Sequence, residues 1–356
     1  MPGAGRSGKI QVRTKAKELA ERALEAGHAL GATPRPGFSA LRSAADALAG
    51  TFSALAPRAR RGVLLALDRV LSADAMQPAA WRRAFGTIGR ALEKTRPSAV
   101  LDDEYGLDPE FYQAVRPLVD LVYRYWFRVS VRGAENVPAQ GRALLVPNHS
   151  GTLAFDGAMI ANALWREHPH PRVIRWLTLR WFSRLPFVSV LLARTGCVLA
   201  NTENGLRLLA QDELVGVFPE GQKGGAKLYR DRYRLQRFGR GGFVKMALTT
   251  RAPIVPISVI GAEEIYPAIA HWDWLGRPLG LPVFPITPTF PWLGPLGAIP
   301  LPSKWSIRFG APLRFNRHAP ERADDELTVR LLTERVRETI QRQVDEDLAA
   351  RDGVFF

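Results

Sequence analysis

Hydrophobic positions along the chain change their spacing at about residue 128. Upstream, apolar residues recur every three or four positions, which is the period of one helix face. Three such stripes predict amphipathic helices within residues 13–95, and an aromatic-rich stretch predicts another over Phe111–Phe127. The segment Arg58–Leu71 sets a basic cluster against a short apolar run. This pattern fits a helix lying on a membrane surface, or a helix packed on the rest of the chain.

Downstream of residue 128, short and mostly apolar runs predict strands separated by helical patterns. The runs are Arg128–Gly133, Ala143–His149, Arg172–Thr178, Cys197–Ala200, Leu214–Pro219 and Ala252–Gly261. Such alternation is typical of a mainly parallel sheet buried on both faces. A last amphipathic pattern predicts a long helix over Asp324–Ala350. The predicted fold class is α/β, with a largely parallel central sheet flanked by helices, an N-terminal helical region and a C-terminal amphipathic helix.

Helix-breaking prolines and glycines, together with changes of composition, predict that the chain is organised in four segments. Residues 1–12 read as a flexible tail, and residues 13–100 as a basic helical region suited to a membrane interface. Pro97, Gly106 and Pro109 mark a boundary before the α/β domain, which we place at residues 101–320. Residues 321–356 form the C-terminal helix and tail.

Charge and cysteine content narrow the classes of protein and site. The net charge is +15, and residues 1–100 hold 17 Lys and Arg against 7 Asp and Glu. This asymmetry favours a polyanionic partner, either an anionic membrane or nucleic acid, although a solvated basic surface has the same composition. The single cysteine, Cys197, excludes an internal disulfide framework. No Cys/His spacing predicts a metal site, and no cofactor is expected.

No signal peptide or membrane-spanning segment is predicted. The most apolar stretch, Trp176–Ala200, is interrupted by Arg180, Arg184, Pro186 and Arg194. The sequence therefore predicts a cytoplasmic protein, bound peripherally to the inner face of the cell membrane.

The loop VPNHSGTLAFDG (Val146–Gly157) offers the first candidate chemistry. His149 follows a predicted strand, where reactive groups of α/β sheets are commonly placed, and Asp156 follows seven residues later. A carboxylate beside an imidazole fixes its tautomer and leaves the second ring nitrogen free to accept a proton. The alternative is a structural histidine and a helix N-cap aspartate.

A second strand ends in VFPEGQKGG (Val217–Gly225). Glu220 supplies an acid, Gly221 exposed backbone amides and Lys223 a cation. The stretch that follows is rich in cations: Lys227, Arg230, Arg232, Arg234, Arg237 and Arg240. Cations beside flexible amides suit a phosphate-bearing substrate, while a solvated basic loop is the ordinary alternative.

Four blocks in this order, NHSGTLAFDG, VFPEGQK, FGRGGFVKMAL and APIVPI, resemble the glycerolipid acyltransferase superfamily, especially its bacterial lysophospholipid or monoacylglycerol acyltransferase-like branch. The resemblance covers roughly Asp102–Phe315 and implies an acyltransferase domain within residues 101–320. It implies transfer of a fatty acyl chain from acyl-CoA or acyl carrier protein to a glycerolipid hydroxyl, with a lysophospholipid as the acceptor.

The resemblance also implies roles for particular residues. His149 would be the general base on the acceptor hydroxyl, Asp156 would orient it, and the hydroxyl oxygen would attack the thioester without an acyl-enzyme. Glu220, Gly221 and Lys223 would correspond to the acceptor-binding block.

Two departures from the family pattern stand out. Six residues separate His149 from Asp156 where four are usual, so the loop must bulge for the side chains to meet. The block that usually ends in an acceptor-binding arginine reads GCVLAN (Gly196–Asn201). Phosphate binding would then fall to Arg194 or to loop arginines such as Arg230 and Arg240, unless the acceptor is neutral.

The proline-rich, nearly uncharged segment Gly276–Pro302 is interpreted as an acyl-channel wall or membrane-dipping surface, or else as a cover over the sheet. Three alternatives to a lysophospholipid acyltransferase stay open. The first makes diacylglycerol, triacylglycerol or wax ester from a neutral acceptor. The others are an inactive lipid-binding relative and a nucleic-acid-binding protein, although no nucleic-acid motif is present and no such partner is expected.

Overall fold

The computed structural model describes residues 103–150, 155–179, 188–272, 284–293, 297 and 299–354. The chain divides into two compact units, and the larger comprises Ala66–Thr287 and Pro300–Phe356. The helices predicted within residues 13–95, among them Arg58–Leu71, lie outside the described residues. The smaller unit comprises Met1–Leu65 and Pro288–Ile299, and in its described part Leu293 N donates to Thr289 O at 2.9 Å.

The described strands are β1 Ser130–Arg132, β2 Ala143–Pro147, β3 Ile174–Thr178, β4 Val198–Leu199, β5 Leu214–Gly216, β6 Ile254–Ile260, β7 Ala270–His271, β8 Pro285–Ile286 and β9 Ser306–Phe309. Among the residues that the structure describes, seven of them form one sheet in the order β1-β9-β6-β2-β5-β3-β4. Strands β6, β2, β5, β3 and β4 are mutually parallel, β9 pairs antiparallel with β6, and β1 runs parallel to β9. A short antiparallel pair, β7 and β8, forms a second sheet.

Helices cover both faces of the sheet. They are α1 Pro109–Leu121, continued by a π-helical turn Val122–Trp126, α2 Phe155–Glu167, α3 Val188–Arg194, α4 Thr202–Ala210, α5 Gly221–Gly225, α6 Gly242–Thr250 and α7 Glu326–Ala349. Short 3-10 turns lie at Ala134–Asn136, Tyr229–Asp231, Ala262–Glu264 and Pro320–Asp324. Side chains of Asp108, Asn201 and Asp325 cap α1, α4 and α7 by accepting backbone N–H bonds.

Strand β2 is buried along its whole length because it divides two apolar cores. Leu144 and Val146 face the core shared with α4, α6 and α7. Leu145 faces the core shared with α2 and the π-helical turn. The arrangement is therefore a three-layer sandwich in which the ends of the central strands, rather than their faces, can hold exposed chemistry.

The predicted α/β class and largely parallel sheet are confirmed. The C-terminal stripe is buried at Leu332, Val336, Ile340 and Val344, whereas Leu327 and Leu331 at its start are exposed. Strand β9 and its reversed direction were not predicted, since its few alternating residues follow the proline-rich segment. Within the described residues, no helix is both long and apolar enough to cross a membrane.

Candidate active site

The loop after β2 is fastened to the neighbouring strand by Asn148. Its side-chain amide donates to Val259 O at 3.0 Å, and its amide oxygen accepts from Val259 N at 2.7 Å. Because β6 lies parallel to β2, both strands end at the same edge of the sheet. This double hydrogen bond therefore fixes the backbone immediately before His149.

His149 and Asp156 are in direct contact. His149 Nδ1 lies 2.7 Å from Asp156 Oδ2, so the longer loop still brings the two side chains together. Asp156 is fully buried in the first turn of α2, where its carboxylate also accepts from Ser150 N at 3.1 Å and Gly157 N at 2.8 Å. The aspartate is thus not a cap preceding the helix. The contact assigns the imidazole proton to Nδ1 and leaves Nε2 as the free acceptor.

The surroundings of His149 raise the pKa of its imidazole. Burial lowers the pKa of the imidazole, but the adjacent Asp156 carboxylate and its hydrogen bond raise it more, with a smaller contribution from Glu220. The net effect is a pKa above the ordinary histidine value. A histidine that gains proton affinity in this way is suited to accept a proton from a hydroxyl group near neutral pH.

Glu220, in the loop after β5, is bonded inside the protein to the loop after β2 that carries His149. Its Oε1 accepts from His149 N at 2.8 Å, and its Oε2 accepts from Gln236 N at 2.7 Å. Lys227 Nζ lies 3.4 Å from the same carboxylate and 2.7 Å from Glu263 Oε1. All three ionisable side chains are at least 95% buried. Glu220 and Lys227, which the sequence suggested as substrate-facing groups, are therefore buried and paired inside the protein, and their expected part in substrate binding stays a prediction.

An aromatic stack supports the face of the imidazole. The His149 and Phe218 rings lie 4.4 Å apart, and Phe218 stacks on Trp176 at 4.9 Å. Gly216 makes room for the indole, since a Cβ there would lie 2.3 Å from the Trp176 side chain. Phe218 and Trp176 thus restrict the imidazole on one side. The His149 side chain remains 15% exposed.

The remaining predicted residues fall into two groups. Lys223, Arg230 and Arg240 are exposed, and Gly221 is at the start of α5 with its N–H donating to Phe218 O at 3.0 Å. Arg194 is different, because its guanidinium is buried against Asp108 at 2.6 Å and stacks over Phe111. Arg194 therefore joins α3 to the start of α1, and its expected part in acceptor binding stays a prediction.

Gly224 marks a close approach of α5 to the loop that carries His149. A Cβ at this position would lie 2.9 Å from His149 Cβ and 2.6 Å from Glu220 Cβ. We expect Gly224→Ala to push His149 aside and to lower about 10-fold the kcat/KM of a reaction in which His149 takes up a proton, since small displacements of a reacting group are costly. Gly239→Ala is the matched control, because the nearest atom to its added Cβ would be 3.8 Å away. Equal activity of the two variants would contradict this packing argument.

Comparison with known proteins bears on the family of the chain. Residues 128–260 match a family model described as Acyltransferase. An uncharacterised protein of Mycobacterium tuberculosis is 51% identical over 255 residues, which are 71% of each chain. The 1-acyl-sn-glycerol-3-phosphate acyltransferase alpha of Homo sapiens is 30% identical over 154 residues, covering 42% of this chain and 51% of the human protein. The crystal structure of a 1-acyl-sn-glycerophosphate acyltransferase from Thermotoga maritima aligns with a TM-score of 0.48 at 18% identity, covering 83% of this chain and 99% of that one.

Proposed function

Because the chain belongs to the glycerolipid acyltransferase superfamily, we propose that it transfers a fatty acyl chain from an acyl thioester to the free hydroxyl of a lysophospholipid. The donor is acyl-CoA or acyl carrier protein. The observation that supports the mechanism is the 2.7 Å contact between His149 Nδ1 and Asp156 Oδ2, just after the end of β2.

The proposed reaction uses the free nitrogen of His149. Nε2 takes the proton of the acceptor hydroxyl as its oxygen attacks the thioester carbonyl carbon, and Asp156 stabilises the imidazolium that forms. The tetrahedral intermediate collapses with cleavage of the C–S bond. The imidazolium then returns its proton to the departing thiolate, so the products are an ester and a free thiol. This cycle leaves the enzyme unchanged and needs no metal or cofactor.

Direct attack by the acceptor is favoured over an acyl-enzyme. Ser150 is adjacent to His149, but its Oγ is buried and makes no hydrogen bond among the described residues. Burial raises the pKa of the Cys197 thiol to about 11, which leaves almost no thiolate at neutral pH. Neither side chain is thus prepared as a nucleophile.

A phosphate-bearing acceptor is supported by cations around the same turn. Lys223 lies on α5, one residue before Gly224, which packs on His149. Arg240 comes directly after Gly239, whose N–H donates to Pro219 O and so holds this segment beside the turn after β5. Arg230 is exposed on the following 3-10 turn, where its Nε lies 3.5 Å from Oδ2 of the half-buried Asp231. Cations without buried carboxylate partners can bind a lipid phosphate, as the name of the human relative suggests for its own acceptor.

A membrane-surface location is supported by apolar side chains near this edge of the sheet. Leu199 ends β4, while Ile269 and Trp272 flank β7, and all three are exposed. Tyr229 N donates to Ala268 O at 2.8 Å, which places β7 beside the cation-bearing turn. Exposed apolar residues next to cations fit an anionic membrane surface, which is where both lipid substrates would be found.

An acceptor panel tests the proposed function. Purified full-length protein would be given labelled acyl-CoA, or the labelled acyl carrier protein thioester, with lysophosphatidic acid, lysophosphatidylcholine or monoacylglycerol, and the labelled lipids would be separated and counted. We expect kcat/KM to be about 10-fold or more higher for the phosphorylated acceptors, because phosphate contacts to arginine or lysine strengthen binding.

Variants then connect the preference to the proposed cations. Lys223→Gln and Arg240→Gln should raise KM for lysophosphatidic acid and leave monoacylglycerol unchanged, whereas Arg317→Gln, at an exposed arginine outside both loops, should change neither. A preference for monoacylglycerol would favour the neutral-lipid alternative. Transfer to none of these acceptors with either donor would refute the proposal.

A further inference from the structure

A cleft lies at the edge of the sheet opposite the edge that carries His149. Because β9 pairs antiparallel with β6, the C-terminal ends of β1 and β9 lie at the edge where β6 and β2 begin. The cleft occupies about 640 Å³ between these strand ends and α7, which is the size of a small-molecule site. The five residues of β2 run from one edge to the other, a distance of roughly 15 Å at about 3.3 Å per residue.

Arginines dominate the walls of this cleft. It is lined by Arg132, Arg308, Arg335 and Arg342, with Glu338 and Glu346 as the acidic members. The first two arginines are already neutralised, because Arg132 lies 2.5 Å from buried Asp347 and Arg308 lies 2.7 Å from Glu346.

Two arginines of the cleft, Arg335 and Arg342, are exposed and form no ion pair with any residue that the structure describes. Glu338 lies between them on α7, and Arg308 together with Arg342 lowers the pKa of the Glu346 carboxyl, so Arg335 is the less compensated of the two. They are seven residues apart, so their Cα atoms are separated by about 10 Å along the helix. Two long side chains at this spacing can converge on a single anionic molecule from both ends.

A buried amide with no partner lines the same cleft. Gln343 is 6% exposed, and its Oε1 has no hydrogen-bond partner among the described residues. Gly310 permits this placement, since a Cβ there would lie 2.0 Å from Gln343 Nε2. Leaving a buried polar group unpaired costs about 1–3 kcal/mol. The Oε1 atom requires a donor, such as the P–OH group of a monoprotonated phosphate, and the NH2 group beside Gly310 can donate to a phosphate oxygen.

We propose that this cleft binds a phosphate-bearing molecule, held by Arg335 and Arg342 and hydrogen-bonded by Gln343. The planar guanidinium fork matches two phosphate oxygens, which favours phosphate over a simple carboxylate. The ligand is distinct from the reacting lipid, because the sheet lies between the cleft and His149. The same chemistry could come from a soluble phosphate compound or from a lipid headgroup.

Binding measurements on the full-length protein distinguish the two sources. Calorimetric titration with inorganic pyrophosphate tests the soluble ligand, and co-sedimentation with phosphatidylcholine vesicles containing phosphatidic acid tests the headgroup, both at one fixed salt concentration. Arg335→Gln and Arg342→Gln should each weaken binding about 10-fold, and Gln343→Leu should also weaken it. Arg330→Gln removes the same charge from an exposed position of α7 outside the cleft and should have no effect.

Each outcome decides the proposal. Loss of pyrophosphate binding in the cleft variants supports a soluble ligand, and loss of vesicle binding alone supports a headgroup. The proposal is overturned if neither probe binds at millimolar concentration, or if Arg330→Gln weakens binding as much as the cleft variants do. Because His149 is not involved, acyl transfer to lysophosphatidic acid without added pyrophosphate should survive in all four variants, which separates this site from the proposed reaction.

Discussion

Replacing His149 with glutamine is expected to lower kcat/KM for acyl transfer by about 10³-fold, within the range that general-base catalysis contributes. Glutamine keeps a polar side chain of similar reach, but it cannot accept the proton of the acceptor hydroxyl. The fold should survive, because the bonds that fix this loop come from Asn148 and from the His149 backbone N–H to Glu220. Initial rates at saturating thioester measure the effect.

The matched control is His318→Gln. His318 is half-buried, its backbone N–H donates to Phe315 O, and no hydrogen bond or ion pair joins it to the described residues of the site. This variant should retain wild-type activity and stability. A His149→Gln protein that transfers acyl chains at the wild-type rate would remove the imidazole from the mechanism.

Replacing Asp156 with asparagine should have the second largest effect, a loss of about 10²-fold or more in kcat/KM. The asparagine NH2 group would donate to His149 Nδ1, which forces the ring proton onto Nε2, the nitrogen that must accept the substrate proton. Gly157 N–H keeps its acceptor, because it bonds to the other oxygen, Oδ1, whereas Ser150 N–H bonds to Oδ2 and loses it, at a cost of about 1–3 kcal/mol. The variant should fold while holding the wrong tautomer.

Asp345→Asn provides the comparison for this charge change, because Asp345 is exposed on α7 and bonded only to Gln341 among the described residues. It should be fully active. If Asp156→Asn retained wild-type kcat/KM, the 2.7 Å contact would be a structural ion pair rather than part of a dyad.

Much of the fold could be predicted from the period of its apolar residues. Strand β2, with no exposed residue, is a continuous apolar run because both its faces are buried, and α7 shows a helical stripe because one face is buried. Strand β9 could not be predicted in the same way. Its four residues alternate between half-buried and buried positions, and its direction depends on pairing with β6, which local sequence does not encode.

The two residues of the proposed dyad could be predicted from the sequence, whereas the buried residues that hold their loop in place could not. His149 and Asp156 were predicted from their position after a strand and from the family resemblance, and they are in contact. The placement of Glu220 and Lys227 inside the protein could not be predicted, because a charged run looks the same whether solvent or a buried carboxylate neutralises it. Glu263, the partner that buries Lys227, lies 36 residues further along the chain.

The pH dependence of kcat/KM for acyl transfer to lysophosphatidic acid, measured for wild-type protein beside Asp156→Asn, tests the dyad most directly. The base must be unprotonated, and the Asp156 carboxylate raises the pKa of His149. Activity of the wild type should therefore rise with pH through a value above about 6.5, the ordinary histidine pKa. Without the carboxylate, the residual activity should rise at lower pH. A wild-type profile that rises below 6.5, or a midpoint that Asp156→Asn leaves unmoved, would contradict His149 as the base that Asp156 activates.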